Sequence, residues 1–107
     1  MGGRSELFWL WSPSDRGLPD FEYDPVKSAT NRDKHGVDFE EAKTMWLDER
    51  GKTLPAKSVS GEARYYLVAR LRGKLHTAIW TLREGKIRLI SVRRSRREEV
   101  RGYSESD

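Results

Sequence analysis

The chain has 107 residues, enough for one modest core and too few for two. It has no cysteine, which excludes disulfide scaffolds, thiolate metal centres and a thiol nucleophile; its early apolar run, residues 7–11, is shorter than the roughly 7 to 15 residues of a signal-peptide core, so a soluble, cytoplasmic protein is expected. Lys and Arg number 21 against 17 Asp and Glu, and residues 86–101 hold seven of the basic side chains and two of the acidic ones, a local block suited to a polyanion or an acidic partner protein.

Residues 1–20, with Gly2, Gly3, Pro13, Gly17 and Pro19 and no sustained period, read as an irregular arm ahead of a single domain over residues 21–107. Phe8, Trp9 and Trp11 of that arm are expected to pack on the body or on a partner. Residues 21–23 alternate like a short strand. Asp24-Pro25 then supplies an N-cap and a first helical residue whose missing donor costs nothing, and Gly36 a left-handed close, which predicts a helix over Pro25–His35. Asp38 and Glu41 have capping-box spacing and open a second helix, with Phe39, Ala42 and Trp46 on one apolar stripe.

After Gly51 the period shifts to alternation. Lys52–Val59 contains Pro55 and belongs at a sheet edge. Residues 64–71 alternate Tyr65, Leu67, Ala69 and Leu71 against Arg64, Tyr66, Val68 and Arg70. Turns at Arg72-Gly73 and Glu84-Gly85 link residues 64–71, 75–82 and 86–92 as successive antiparallel strands. Ser95 and Glu98 have capping-box spacing for a closing helix to about Tyr103. The fold class is α+β: two N-terminal helices, a three- to four-stranded antiparallel sheet and a C-terminal helix.

Lys27, Asn31 and His35 fall at i, i+4 and i+8 on the first helix, with Lys34 beside them, a row suited to phosphates or simply to solvent. Arg88 stands among Ile87, Leu89, Ile90 and Val92, so its guanidinium belongs at a sheet surface, free to clamp an anion or paired with Glu62. Arg96 and Arg97 occupy a first helical turn where the dipole favours anions, a placement better suited to ligand phosphates than to local stability. No metal-ligand or nucleotide-loop motif is present, so a metal centre and a cofactor are not expected. RNA can be cut without either, because its 2′-OH attacks the adjacent phosphorus when a base takes the proton and cations stabilise the phosphate.

Three ordered blocks carry a resemblance. The first runs from Phe21-Glu22-Tyr23-Asp24-Pro25 through Lys27, Asn31, Lys34-His35-Gly36-Val37 and Phe39 to Ala42. The second is Gly61-Glu62 with Arg64. The third is Arg88-Leu89-Ile90-Ser91-Val92-Arg93-Arg94 with Glu99 and Tyr103. Together they resemble the BrnT toxins. The resemblance implies a RelE-like endoribonuclease that cleaves RNA and arrests growth. It further implies inhibition by a ribbon-helix-helix antitoxin of the BrnA kind, with operator DNA reached only through the complex. The catalytic group is expected among His35, Glu62, Arg64, Arg88 and Arg93, and RNA contacts among Lys27, Asn31, Lys34, Arg94, Arg96, Arg97 and Tyr103; the resemblance covers all of these but Arg96 and Arg97, which rest on their place at a helix start. Asp24 and Glu99 can equally be capping or pairing residues. The non-catalytic alternatives are a module that binds nucleic acid by occupancy and one whose basic block serves only the antitoxin.

Overall fold

The structure, a computed structural model, describes residues 18–105. The arm expected over residues 1–20 lies outside them except for its last three residues.

Helix α1 spans Pro25–His35 as its capping signals dictate. Asp24 Oδ1 accepts the Val26 N–H at 2.9 Å, and Gly36, at φ 77°, donates its N–H to Arg32 O. Only Ser28 and Asn31 of this helix are buried, so hydrogen bonds rather than an apolar stripe hold it. Ser28 Oγ accepts the Phe39 N–H at 2.9 Å. Asn31 Nδ2 donates to Val37 O and Val92 O, both at 2.8 Å, and Asn31 Oδ1 accepts the Val92 N–H at 3.1 Å. One carboxamide thereby ties α1 to the following loop and to the last strand.

The second box closes as expected, Asp38 Oδ1 accepting from Glu41 N and Glu41 Oε1 from Asp38 N. The helix it opens, α2, covers only Phe39–Ala42 and tightens into a 3-10 segment over Lys43–Leu47. Met45 and Trp46 of that segment are buried in the core, where Trp46 meets Phe21 and Trp80 edge-on at 5.1 and 5.9 Å.

The sheet has five strands in the order β1-β5-β4-β3-β2, with β1 Phe21–Glu22, β2 Lys52–Val59, β3 Glu62–Leu71, β4 Lys74–Arg83 and β5 Lys86–Arg94. Strands β2 to β5 form the expected antiparallel meander. All three of its hairpins turn on two residues with positive φ, the type I′ geometry whose twist matches the strands. The expected three- to four-stranded antiparallel sheet is corrected in one respect: β1 pairs with β5 in parallel, Phe21 opposite Ile87 and Glu22 opposite Arg88, making the sheet mixed. Pro55 lies on the edge strand β2, where its missing donor breaks no inner ladder.

Tyr65, Leu67, Ala69, Ala78, Trp80 and Leu89 face the helices and 3-10 segment and build the core. The other sheet face is covered in part by α3, Arg97–Glu105, which rests on β3. Its first turn is organised by Glu99 rather than Glu98, since Glu99 Oε1 accepts the Arg96 N–H at 2.7 Å while Ser95 Oγ bonds Thr77. Between Ile79 and Trp80 the β4–β5 register shifts by one, with Ile90 the extra residue of a β-bulge on β5. Among the described residues no helix is long and apolar enough to cross a membrane.

Candidate functional site

Cross-strand pairing sorts the outer face into rows. Thr81 is opposite Arg88, and one step further along the β3–β4 register it lies opposite Arg64. Glu22, beside Arg88 on β1, ends this row. Thr81 itself is buried beneath the row, its hydroxyl donating to Ala63 O at 2.6 Å. Arg88 Nη1 bonds Glu22 Oε2 at 3.1 Å and its side chain stays 30% exposed. Arg88 is therefore paired with Glu22, not with Glu62 as the sequence alternative had it.

Glu62 instead accepts from Arg83 Nη2 at 2.9 Å and stands 3.6 Å from Arg64. The Arg83 hydrogen bond holds its carboxyl below the usual range. Arg64 Nε is buried and makes no hydrogen bond among the described residues, so within them its guanidinium is incompletely satisfied. Glu62, Arg64 and Arg88 thus come together at one end of the outer face.

Arg93 does not join them. It lies on the same face but opposite Thr77, about 14 Å along the strand from Arg88 at roughly 3.4 Å per residue for four ladder steps. Its two guanidinium nitrogens grip Glu99 at 2.9 Å each, and the pair's side chains are only 14% and 12% exposed. Arg93, outweighing the burial that opposes it, and then the Arg96 N–H and the Thr77 hydroxyl, bring the Glu99 carboxyl down to about 2. Glu99 is thus a pairing and capping group, as Asp24 is a cap.

The α1 row meets β5 at a cavity of about 420 Å3 whose walls are Lys27, Thr30, Lys34, His35, Ile90 and Ser91, with Asn31 at its back. No acidic residue is among the described residues that line it. Lys27, Lys34 and His35 are exposed there, whereas the amide of Asn31 is taken up by backbone groups. Ser91 belongs to both places: it lines the cavity, and its pairing with Ile79 sets it on the outer face between Arg88 and Arg93. The basic row of α1 and the Arg64–Arg88 row therefore share a border, while the closing helix takes no part in the cavity.

The remaining expected contacts disperse. Arg94 sits opposite His76 on the helix side at the sheet's end, exposed. Arg96 and Arg97 are exposed at the start of α3. Tyr103 is buried and donates its hydroxyl to Asp48 at 2.8 Å, with Arg70 at 5.8 Å over its ring. The sequence reading missed Glu22, Tyr66 and Ile79 as members of this face. The alternation of Tyr66 with Arg64 already carried that signal for the tyrosine. No group of three or more His, Cys, Asp or Glu side chains among the described residues is arranged to hold a metal.

No curated protein matches the chain. A family model does, that of the ribonuclease toxin BrnT of type II toxin-antitoxin systems, over residues 23–99. That span includes every residue of the cavity and of the Arg64–Arg88 row except Glu22, and it ends at Glu99, before Tyr103. With most of its length matched by this model, and with an α+β fold of helices flanking a mixed sheet, the chain belongs to the BrnT toxin family.

Proposed function

We propose that this toxin is an endoribonuclease that cleaves RNA by internal transesterification, without a metal, on the outer sheet face beside the α1–β5 cavity. The observation that carries the reading is the Arg64–Thr81–Arg88 row. It sets two guanidinium groups on the strands either side of β4, on a face that α3 covers only in part, one with a donor unpaired among the described residues, next to a cavity lined by two lysines and an imidazole. The 2′-oxygen bonds to phosphorus as the P–O5′ bond breaks, and Arg64 and Arg88 stabilise the crowded, charged phosphorane-like state.

Imidazole is the side chain suited to trading a proton near neutrality, so His35 takes the 2′-OH proton and returns one to the leaving oxygen. Glu62 is the weaker candidate, because Arg83 keeps it ionised and it has no proton to give. Arg93, neutralised by Glu99, is placed as a structural neighbour rather than as a phosphate ligand. DNA, lacking the 2′-OH, is not cut. In the cell the activity is held in check by the antitoxin of the pair, of the BrnA ribbon-helix-helix kind, which alone brings the complex to operator DNA.

Purified protein incubated with RNA in excess chelator is expected to leave 2′,3′-cyclic phosphate ends. Arg88→Ala is expected to slow this about 100-fold, the usual loss for one charge-stabilising donor, and His35→Gln to slow it by a similar factor. Intact RNA after incubation with folded protein, bound with a steep salt dependence, would establish binding by occupancy instead.

A further inference from the structure

Between the charged rows of the outer face lies an apolar one that the proposed reaction leaves unused. Leu54, Tyr66, Ile79 and Ser91 are in register across β2, β3, β4 and β5, each opposite the next. At a strand spacing of about 4.8 Å the row is about 14 Å long. It is not core. Leu54 is 38% exposed and Tyr66, Ile79 and Ser91 are half-buried, whereas Leu67 and Ala78, their neighbours pointing the other way, are buried.

The tyrosine has a cation beside it. Arg93, itself fixed by Glu99, places its guanidinium over the Tyr66 ring at 5.9 Å from the centroid. Arg93 belongs to the next row toward α3, and Arg64 and Arg88 belong to the row on the other side of Tyr66. A flat group laid against that side has two guanidinium groups about one row away, close to 7 Å at two residues of strand rise.

That pattern, an apolar strip one side chain wide with cations along its flank, matches flat apolar rings joined by anionic links. Unpaired nucleobases have that form. A duplex keeps its ring faces stacked inside, and a partner helix, about 10 Å across, presents a broader apolar stripe than this strip accepts. We propose that the Leu54–Tyr66–Ile79–Ser91 row is a nucleobase platform that seats unpaired bases of a single RNA strand, with Tyr66 as the stacking residue, and that it restricts the toxin to single-stranded substrate. Ser91 closes the row at the cavity border and offers its hydroxyl to a base edge. The proposal rests on the ribonuclease reading for its substrate, but not for its test.

The test is fluorescence anisotropy with strands that cannot be cut. An all-2′-deoxy single strand, the same strand with its bases removed at successive positions, and the matching duplex are titrated against wild type, Tyr66→Phe and Tyr66→Ala. The single strand is expected to bind at least tenfold tighter than the duplex or the abasic strand. Tyr66→Ala should weaken it five- to a hundredfold, the range of one base–aromatic stack, and Tyr66→Phe less than twofold. Tyr66→Ala should leave the slope of log affinity on log salt unchanged, whereas Arg88→Ala lowers it by nearly one phosphate contact. Equal binding of abasic and intact strands, or a Tyr66→Ala effect of the same size on both, overturns the platform. So does a Tyr66→Ala effect confined to the antitoxin. Should Tyr66→Ala fail to fold, Leu54→Ser on the edge strand takes its place with an expected two- to threefold loss, and the abasic comparison needs no variant. A toxin that binds in this way but never cuts RNA refutes the ribonuclease reading alone; one that cuts but ignores missing bases refutes the platform alone.

Discussion

The two faces of one sheet are built from the same strands and obey opposite rules. On the helix side, Trp80, Leu89 and Ala78 are almost wholly buried, and aromatic edges meet at Phe21–Trp46, Tyr23–Phe39 and Trp46–Trp80. On the other side, arginines and threonines flank a half-exposed apolar row, ion pairs link the strands, and one guanidinium donor has no acceptor among the described residues. Stability is concentrated on the first face, which frees the second to hold charges close together. Between them stands Asn31, exposed by its helix position yet buried by its contacts, a strut joining the halves.

Substitutions can break this division, and the largest effect belongs to the core. Trp80→Ala should cost about 4 kcal/mol in urea unfolding, as large aromatic deletions do. Asn31→Ala should cost about 3 kcal/mol by leaving backbone groups of Val37 and Val92 without partners; if the folded variant instead loses only RNA affinity, Asn31 belongs to the ligand. Glu99 comes next. Its carboxyl sits at about 2 in the fold against 4.5 for the ordinary group, so its contribution is complete above pH 4.5 and disappears as pH falls toward 2. That contribution is at most about 3 kcal/mol, and Glu99→Gln should flatten the acid limb of stability measured across that window.

His76 gives a smaller slope in another window. Burial, and after it the cations of Arg94, Arg72 and Lys74, hold its imidazole below 6.5 against the carbonyl of Lys74. The unfolded chain therefore takes the proton first, and stability falls as pH drops through 6.5; His76→Gln should remove that dependence on the acid side of 6.5. The smallest effect sharpens the comparison most: Arg88→Ala should change unfolding free energy by no more than about 0.5 kcal/mol while cleavage drops. A loss above 2 kcal/mol would return the outer face to the scaffold.

Local signals made much of this fold legible. Asp24-Pro25 and Gly36 set α1, and Asp38 with Glu41 set the second box, because caps depend on residues within four positions of each other. The switch from α2 to a 3-10 segment at Lys43 was not legible, since it is Phe21 and Trp80, remote in sequence, that receive Trp46. The parallel pairing of β1 was hidden for the same reason, as two residues carry no record of a partner 66 positions away. At the site, residue types were readable and partners were not. Arg88 and Glu62 were both singled out, but which acid meets which arginine is decided by the sheet order: β1 lies beside β5 and Glu22 takes Arg88, while Arg83 and Arg64 take Glu62.

Five positions separate Arg88 from Arg93, an odd interval that in a regular strand would aim them to opposite sides. Ile90, the unpaired insertion, restores their parity. Deleting that one codon would shorten the interval to four and leave a regular ladder, with Arg93 and Val92 on the faces they already occupy and Asn31 still on the Val92 peptide, and would remove the Ile90 wall of the cavity. Homologous sequences one residue shorter here are consequently expected to keep the arginine face intact and to differ in the shape of the hollow beside it.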